Sequence, residues 1–324
     1  MEEPLARQHE RVGFPRTYFR DCDELAAAYR AWGMDVVQLK AETGDSWTAS
    51  DQLGDLRVWA SSVTGSYGVR TGLPPGTALM QIHSGPHGRR RIGGMELGNS
   101  DILAGFAGLE LTGIVDQQRR GISFVMPIDT VTAALAARAP GSDRVTRGVS
   151  PLVLSGCSSR VAALSRLIDA AMCLESEHDR RLAANDITDL LVSTLLSPWH
   201  RATETTYRVP ILQRLPIVRR AEEFMRARLG DPLSLHDICL AARASQRSVE
   251  YAFSSTYGLG PKQYLRVLRL NAVWRALMSQ PPKTEKISEI ARRHGLWHMG
   301  HFATDYCRMF GESPQQARAR RWRQ

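Results

Sequence analysis

Short apolar runs, each closed by glycine or by polar residues, fill the chain from about Thr17 to Ala139: VVQLKAE, LRVWASSV, ALMQIH, RRIGGMEL, DILAGF, LELTGIV and ISFVMP. Runs of this length between turn residues predict short strands. The helical intervals that a parallel sheet requires are missing, so the spacing predicts a β-barrel or sandwich, with one short helix from Asp23 to Trp32. From Ser158 the period changes. Val161, Leu164, Leu167, Ile168, Ala171 and Leu174 stand three and four apart, and Ile187, Leu190, Leu191 and Leu195 follow, which predicts two amphipathic helices. Their apolar faces suit pairing with a second copy of the chain as well as packing on the front domain. The stretch SPWHRATETTYRVPILQRLP, with three prolines, marks a linker and a domain boundary. Everything beyond it reads as helix and turn.

Within that last part, LSLHDICLAARASQRSVEYAF holds two short helices around a tight turn. Leu235, Ile238, Cys239 and Ala242 share one face of the first, with Ser234 placed to cap it. Ser245 stands at the N-cap of the second, and Val249 and Phe253 give that helix an apolar stripe. Gln246, Arg247, Glu250 and Tyr251 then point outward together, a surface suited to a DNA major groove and equally to an ordinary solvated bundle helix. The balance changes some fifty residues on, where KISEIARRHGLWHMGHFATDYCRMFG repeats the arrangement. Ile287, Ile290 and Ala291 mark its first helix, Gly295 its turn, and Phe302 and Tyr306 its second helix. Gly258-Leu259-Gly260-Pro261 and Gly311-Glu312-Ser313-Pro314 follow the two units as matching braces. Between the units, Pro261 to Leu277 reads as one long helix, burying Tyr264, Leu268, Val273 and Leu277. A spacer that held the second helices about 34 Å apart would set them in successive major grooves.

Charge supports this reading once it is divided along the chain. The formal net charge is +9, but Ile211 to Gln324 holds 20 Lys and Arg against 9 Asp and Glu, while the rest holds 22 against 24. A basic domain joined to a near-neutral one fits a polyanion-binding module attached to a part with another task. Five widely spaced cysteines without a C-x-x-C pair suggest neither a disulfide framework nor a zinc ribbon. There is no signal-like h-region and no long apolar run, so a cytoplasmic protein is expected, with no membrane partner.

The Ser245 to Phe253 helix, the Tyr257-Gly258 to Tyr264 turn, Leu268-Arg269-Leu270 and the stretch from Ile287 through Gly295 to Phe310, Gly311 and Pro314 resemble the AraC/XylS family of bacterial transcription regulators, from about Val218 to Arg321. RLNAVWRAL and GLWHMGHFATDY look closest to its ethanolamine-operon regulator branch. The resemblance implies an α+β chain: a cupin-like β-barrel or sandwich with flanking helices, then an all-α domain with two helix-turn-helix units. The expected organisation is residues 1–157 for effector binding, 158–197 for the amphipathic helices and dimerisation, 198–216 as linker and 217–324 for DNA. By position, the resemblance assigns base reading to Gln246, Arg247, Glu250 and Tyr251 in the first unit and to Met299, Gly300, His301 and Thr304 in the second. Leu296 stands where Phe is commoner, and Gly300 offers no side chain, which points to weaker discrimination by the second unit. Ser245, Lys262, Arg292 and Arg293 would contact the DNA backbone, with the basic tail RARRWR as a further phosphate contact or as a solubilising end. The implied partners are promoter DNA, RNA polymerase, a small-molecule effector and a second copy of the chain, and the implied outcome is effector-gated activation. Trp47, Trp59, Tyr67 and Phe106 are candidates for lining the effector pocket and serve equally as core aromatics.

Other chemistry finds little footing. His294, His298 and His301 with Cys307 have metal-like spacing, but Gly295 breaks the helix and a turn already accounts for these residues. His83 and His87 flank a glycine-proline turn with no carboxylate to complete a set. Gly65-Ser66-Tyr67-Gly68 is one residue short of a nucleophile elbow, and neither a Walker loop nor a dinucleotide fingerprint follows a strand. No catalytic residue, metal or cofactor is therefore expected. The rival readings are an architectural DNA-binding protein without effector and a front-half enzyme localised to DNA.

Overall fold

The computed structural model describes residues 16–19, 22–30, 33–40, 45–84, 90–106, 108–116, 119–147, 151–200, 206–208, 214–279 and 284–321. His87, much of the proline-rich linker and the end of the basic tail lie outside the described residues.

The front half contains β1 (Thr17–Phe19), α1 (Cys22–Arg30), β2 (Met34–Lys40), β3 (Ser46–Leu53), β4 (Leu56–Val63), β5 (Ser66–Gly72), β6 (Thr77–Ser84), β7 (Arg90–Ile92), β8 (Met95–Leu97), β9 (Ile102–Phe106), β10 (Glu110–Asp116) and β11 (Arg119–Pro127). It continues with α2 (Ile128–Arg138), β12 (Leu152–Leu154), α3 (Ser158–Ala171), α4 (Glu177–His200) and β13 (Thr206–Arg208). The strands form two antiparallel sheets, ordered β1-β3-β4-β11-β6-β9-β12-β13 and β2-β5-β10-β7-β8. The sandwich arrangement holds, with no closed barrel among the described residues. Apart from the short helix at Asp23 to Trp32, the stretch to Ala139 reads as strands, yet its alanine-rich end forms the helix α2. Alanine is the best helix former, and Val131 and Leu135 supply the four-residue apolar stripe that buries it.

Alternation along the strands sorts the side chains into layers. On β11, Ile122 and Phe124 face the cluster made with α2, α3 and α4, whereas Ser123 and Val125 face the other sheet. Val161, Leu164 and Ile168 of α3 and Ile187, Leu191 and Leu195 of α4 belong to that helix-side cluster, so their apolar faces pack within the chain. Leu79, Leu103 and Val153 of the large sheet meet Ile92, Leu97 and Leu111 of the small one.

The C-terminal helices are α5 (Leu215–Ala227), α6 (Leu235–Ala242), α7 (Gln246–Tyr257), α8 (Pro261–Met278), α9 (Ile287–Arg293), α10 (Met299–Phe310) and α11 (Pro314–Arg321). They rest on the outer face of the small sheet, where α8 and α10 meet β2 and α7 meets β10. The seam is polar as well as apolar. Strand β2 is an edge strand, and the buried Asn271 amide takes the place of a neighbouring strand: its Oδ1 accepts from the Gln38 N–H at 3.2 Å and its Nδ2 donates to the Gln38 carbonyl at 2.9 Å. The Gln38 side chain donates to the Met309 carbonyl at 3.3 Å. Arg226–Asp35 (2.7 Å), Arg70–Glu223 (3.5 Å) and Arg219–Glu110 (3.5 Å) pair across the same seam. No described helix is long and apolar enough to cross a membrane.

Candidate nucleic-acid interface

Each second helix is presented by local devices that follow from the residues at its ends. Ser234 Oγ accepts from the Asp237 N–H at 3.2 Å while Asp237 returns a bond to the Ser234 N–H at 2.9 Å, closing a capping box on α6. Arg243 then turns the chain in the left-handed region at φ 52°. Ser245 accepts from the Ser248 N–H at 3.3 Å and starts α7. Val249, Ala252 and Phe253 are fully buried beneath α7, which turns Gln246, Arg247, Glu250 and Tyr251 to solvent. Gln246 donates to Glu250 at 2.9 Å, and the Arg214 guanidinium lies 4.3 Å from the centre of the Tyr251 ring. Ser245 and Lys262 are exposed.

In the second unit Gly295 makes the turn at φ +77°, hemmed in by the Leu229 carbonyl and the Arg269 guanidinium. Phe302 and Tyr306 pin α10 from below, leaving Gly300, His301 and Thr304 exposed and Met299 half-buried. The Thr304 hydroxyl donates back to the Gly300 carbonyl at 3.2 Å, and a side chain at Gly300 would meet nothing within 4 Å. Arg292 and Arg293 are exposed, with Arg293 paired to Glu285 at 2.7 Å. The half-buried His294 is held below the ordinary imidazole range by burial and by the neighbouring Arg293 charge. Among the described residues no group of three His, Cys, Asp or Glu side chains converges on a metal position.

A buried hub that no local motif announces joins the first unit to α5 and to the spacer helix α8. Glu222 on α5, only 1% exposed, accepts from the Tyr257 hydroxyl at 3.1 Å, the Tyr264 hydroxyl at 2.6 Å and Arg226 at 2.7 Å. Burial and the nearby Glu222 charge push the Tyr257 hydroxyl well above its ordinary range. The Tyr257 and Tyr264 rings stack at 4.3 Å. The hub thus ties α5, α7 and α8 together, and Arg226 extends it to Asp35 on β2.

Residues 238–320 match the family model described as a helix-turn-helix domain. The probable thc operon regulatory protein of Rhodococcus erythropolis is 29% identical over 162 residues, covering 49% of this chain and 47% of that protein. The C-terminal part of this chain is an AraC-type helix-turn-helix domain. The XylDLEGF operon transcriptional activator of Pseudomonas putida is 32% identical over 99 residues, 31% of each chain. These relatives are named for other operons and lend no support to an ethanolamine-operon branch. The chain spans about half the length of the first of these relatives, 47%. The crystal structure of the AraC-like transcriptional activator CuxR covers 86% of this chain and all of that one at 16% identity, but its TM-score of 0.42 is too low to support a functional statement.

Ahead of the AraC-type domain, the two sheets enclose an open space of about 430 Å³. Met34, Trp59, Thr71, Gln81 and Ser123 line it and also wall a smaller neighbouring recess of about 60 Å³ that reaches Arg90. Of the aromatic candidates, Trp59 lines this space, with Tyr29 edge-on to it at 4.7 Å. Phe106 lies in the helix-side core, Tyr67 is buried with its hydroxyl donating to the Thr64 carbonyl at 3.2 Å, and Trp47 lies half-buried under the Arg16 guanidinium at 4.5 Å. A separate space of about 610 Å³ lies in the seam between the small sheet and the AraC-type domain.

Proposed function

We propose that the chain is a sequence-specific DNA-binding transcription regulator, an activator gated by a small molecule held between the sheets of its front half. The observation that carries this reading is the pair of helix-turn-helix units in one strongly basic stretch, each with an open outer face on a pinned second helix. Residues 217–324 bind DNA, 1–157 take the effector, and 158–197 and 198–216 join them. Gln246, Arg247, Glu250 and Tyr251 read bases in one major groove and Met299, Gly300, His301 and Thr304 in the next. Ser245, Lys262, Arg292 and Arg293 hold the backbone. In the first unit Arg247 is the natural partner of a guanine edge, and Gln246, bonded to Glu250, of an adenine edge. The second unit, with Gly300 and a self-bonded Thr304, discriminates less.

The activator role is supported by the names of the Pseudomonas putida relatives, and contact with RNA polymerase follows from binding beside a promoter. The protein acts in the cytoplasm, on the nucleoid when bound to DNA. Gating is supported by the seam. The small sheet forms one wall of the inter-sheet space and carries α7, α8 and α10 on its other face, so an occupant that shifts this sheet shifts both units.

Genome-wide binding of the tagged protein, repeated with Arg247→Ala and Glu250→Ala combined, tests the reading. Sharp promoter peaks that vanish in the variant are expected. Diffuse binding, or peaks unchanged by the substitutions, would overturn it.

A further inference from the structure

We infer that Trp297 reads a thymine for the second unit, its indole ring against the 5-methyl group and its N–H on O4 of that base. This rests on the reading proposed above, in which α10 enters a major groove, and it names the contact that replaces the side chain missing at Gly300.

The placement begins with the register of the two units. Ser245 is the cap residue of α7, and His298 holds the same position at α10. Val249 then corresponds to Phe302 and Phe253 to Tyr306, and all four are buried, so the two helices are pinned alike. In this register Arg247 stands opposite Gly300, and Ala244 stands opposite Trp297. The first unit carries its large reading side chain on the second residue of the helix. The second unit carries its own just ahead of the cap.

An apolar residue in that place commonly packs on the fourth residue of the helix, which here is Phe302. Trp297 forgoes that contact. It is 52% exposed, its ring meets no other aromatic ring, and its N–H has no partner among the described residues. Leu296 beside it is buried, so the chain turns one side chain inward and the next outward. Among the described residues of the AraC-type domain, Tyr251 and Trp297 are the aromatic side chains more than half exposed, and each lies at the second helix of a unit. Gly300, three residues on from Trp297, leaves open space, since a side chain there would meet nothing within 4 Å. The backbone of α10 therefore approaches DNA more closely than Arg247 allows α7 to do. That approach brings the residue just ahead of the helix to the base edges.

The indole selects the base. Its N–H is a donor only, and the rest of the ring is apolar. In the major groove thymine presents an acceptor, O4, beside a methyl group. Cytosine presents a donor, guanine two acceptors and adenine an acceptor with a donor, none of them with a methyl group. Thymine is the one edge that matches both parts of the ring.

The test is genome-wide binding of the tagged full chain in its own host, with the parent beside Trp297→Ala and Trp297→Phe. The parent's sites are expected to carry two blocks of base preference about one helical turn apart. Trp297→Ala keeps one block and loses the preference for thymine at a position in the other, while Trp297→Phe retains it, because a phenyl ring also packs on the methyl group. On a recovered fragment, exchanging that thymine for deoxyuridine removes the methyl group alone. Parent binding is expected to weaken about fourfold, the worth of one methyl group taken out of water, and Trp297→Ala binding not to change. With half of the side chain in solvent, Trp297→Ala should melt as the parent does; if it does not, the deoxyuridine exchange on the parent and on Trp297→Phe decides. A parent without sequence preference overturns the regulator reading and this inference with it. Preferred sites left unchanged by Trp297→Ala overturn the inference alone. So do a uniform loss across all sites, which marks a backbone contact, equal parent binding of thymine and deoxyuridine, and unchanged occupancy with lost transcription, which marks a protein partner.

Discussion

The amide clamp at the seam makes a sharp prediction for Asn271→Ala. Asn271 is 3% exposed, and its side chain satisfies both backbone groups of Gln38, which the edge of the small sheet would otherwise leave open. Alanine removes both partners while favouring helix α8 itself, so any loss belongs to the seam and not to the helix. Each buried backbone group deprived of its partner costs about 1–3 kcal/mol. Entry of water and the helix gain of roughly 0.5 kcal/mol offset part of this, leaving about 2–4 kcal/mol. The third bond of the amide, to the Val267 carbonyl at 2.9 Å, adds little because that carbonyl lies in the helix ladder. The assay is hydrogen exchange at the Gln38 amide in the full chain. At about 1.4 kcal/mol per decade, exchange is expected to rise roughly thirty- to several-hundred-fold, with amides in the α2–α4 layer unchanged. Unaltered Gln38 exchange in a folded Asn271→Ala protein would refute the clamp as the fastening of the AraC-type domain.

Gly295→Ala places a methyl group against the Leu229 carbonyl and within 2.7 Å of Arg269 Nε at a positive φ, so urea unfolding is expected to show a loss of about 3 kcal/mol or more. Glu222→Ala leaves two buried tyrosine hydroxyls without their acceptor and Arg226 with Asp35 alone, and should cost about 3–5 kcal/mol, whereas Glu223→Ala, on a pair 3.5 Å apart at a half-exposed site, should cost under about 1 kcal/mol; paired thermal melts compare the two. His294 is held below the ordinary value near 6.5, so the unfolded chain takes up its proton first. The contribution of His294 is therefore full above about pH 6.5 and lost as the pH falls below it, and His294→Gln should flatten the fall in stability between about pH 7 and 5.

Much of the AraC-type domain was legible because its signals are local. The caps at Ser234 and Ser245, the turn at Gly295 and the stripes of Val249 with Phe253 and Phe302 with Tyr306 all lie within one turn or two of the residues they organise. The strands of the front half were legible from their short apolar runs, and a barrel or sandwich from the absence of helices between them; the choice of two sheets was made by the tertiary structure. Helix α2 was not, because its apolar stripe is two residues long and sits directly behind a strand. The roles of the aromatic residues were not legible either. Trp59 and Phe106 are alike in composition terms, yet one faces the space between the sheets and the other the helix-side core, since alternation gives two faces without saying which neighbour each will meet.

The sequence by itself determined periodicity, capping, turn chemistry and the segregation of charge, properties set by residues near one another along the chain. Only the tertiary structure decided the partnership of Gln38 with Asn271, 233 positions apart, the burial of Glu222 under two tyrosines, and the pointing of Arg90 inward and Arg91 outward. Those depend on strand register and on how the helices settle on a sheet. A pairing between distant segments is selected by the burial and hydrogen bonding of the whole assembly, and no window of the chain contains it.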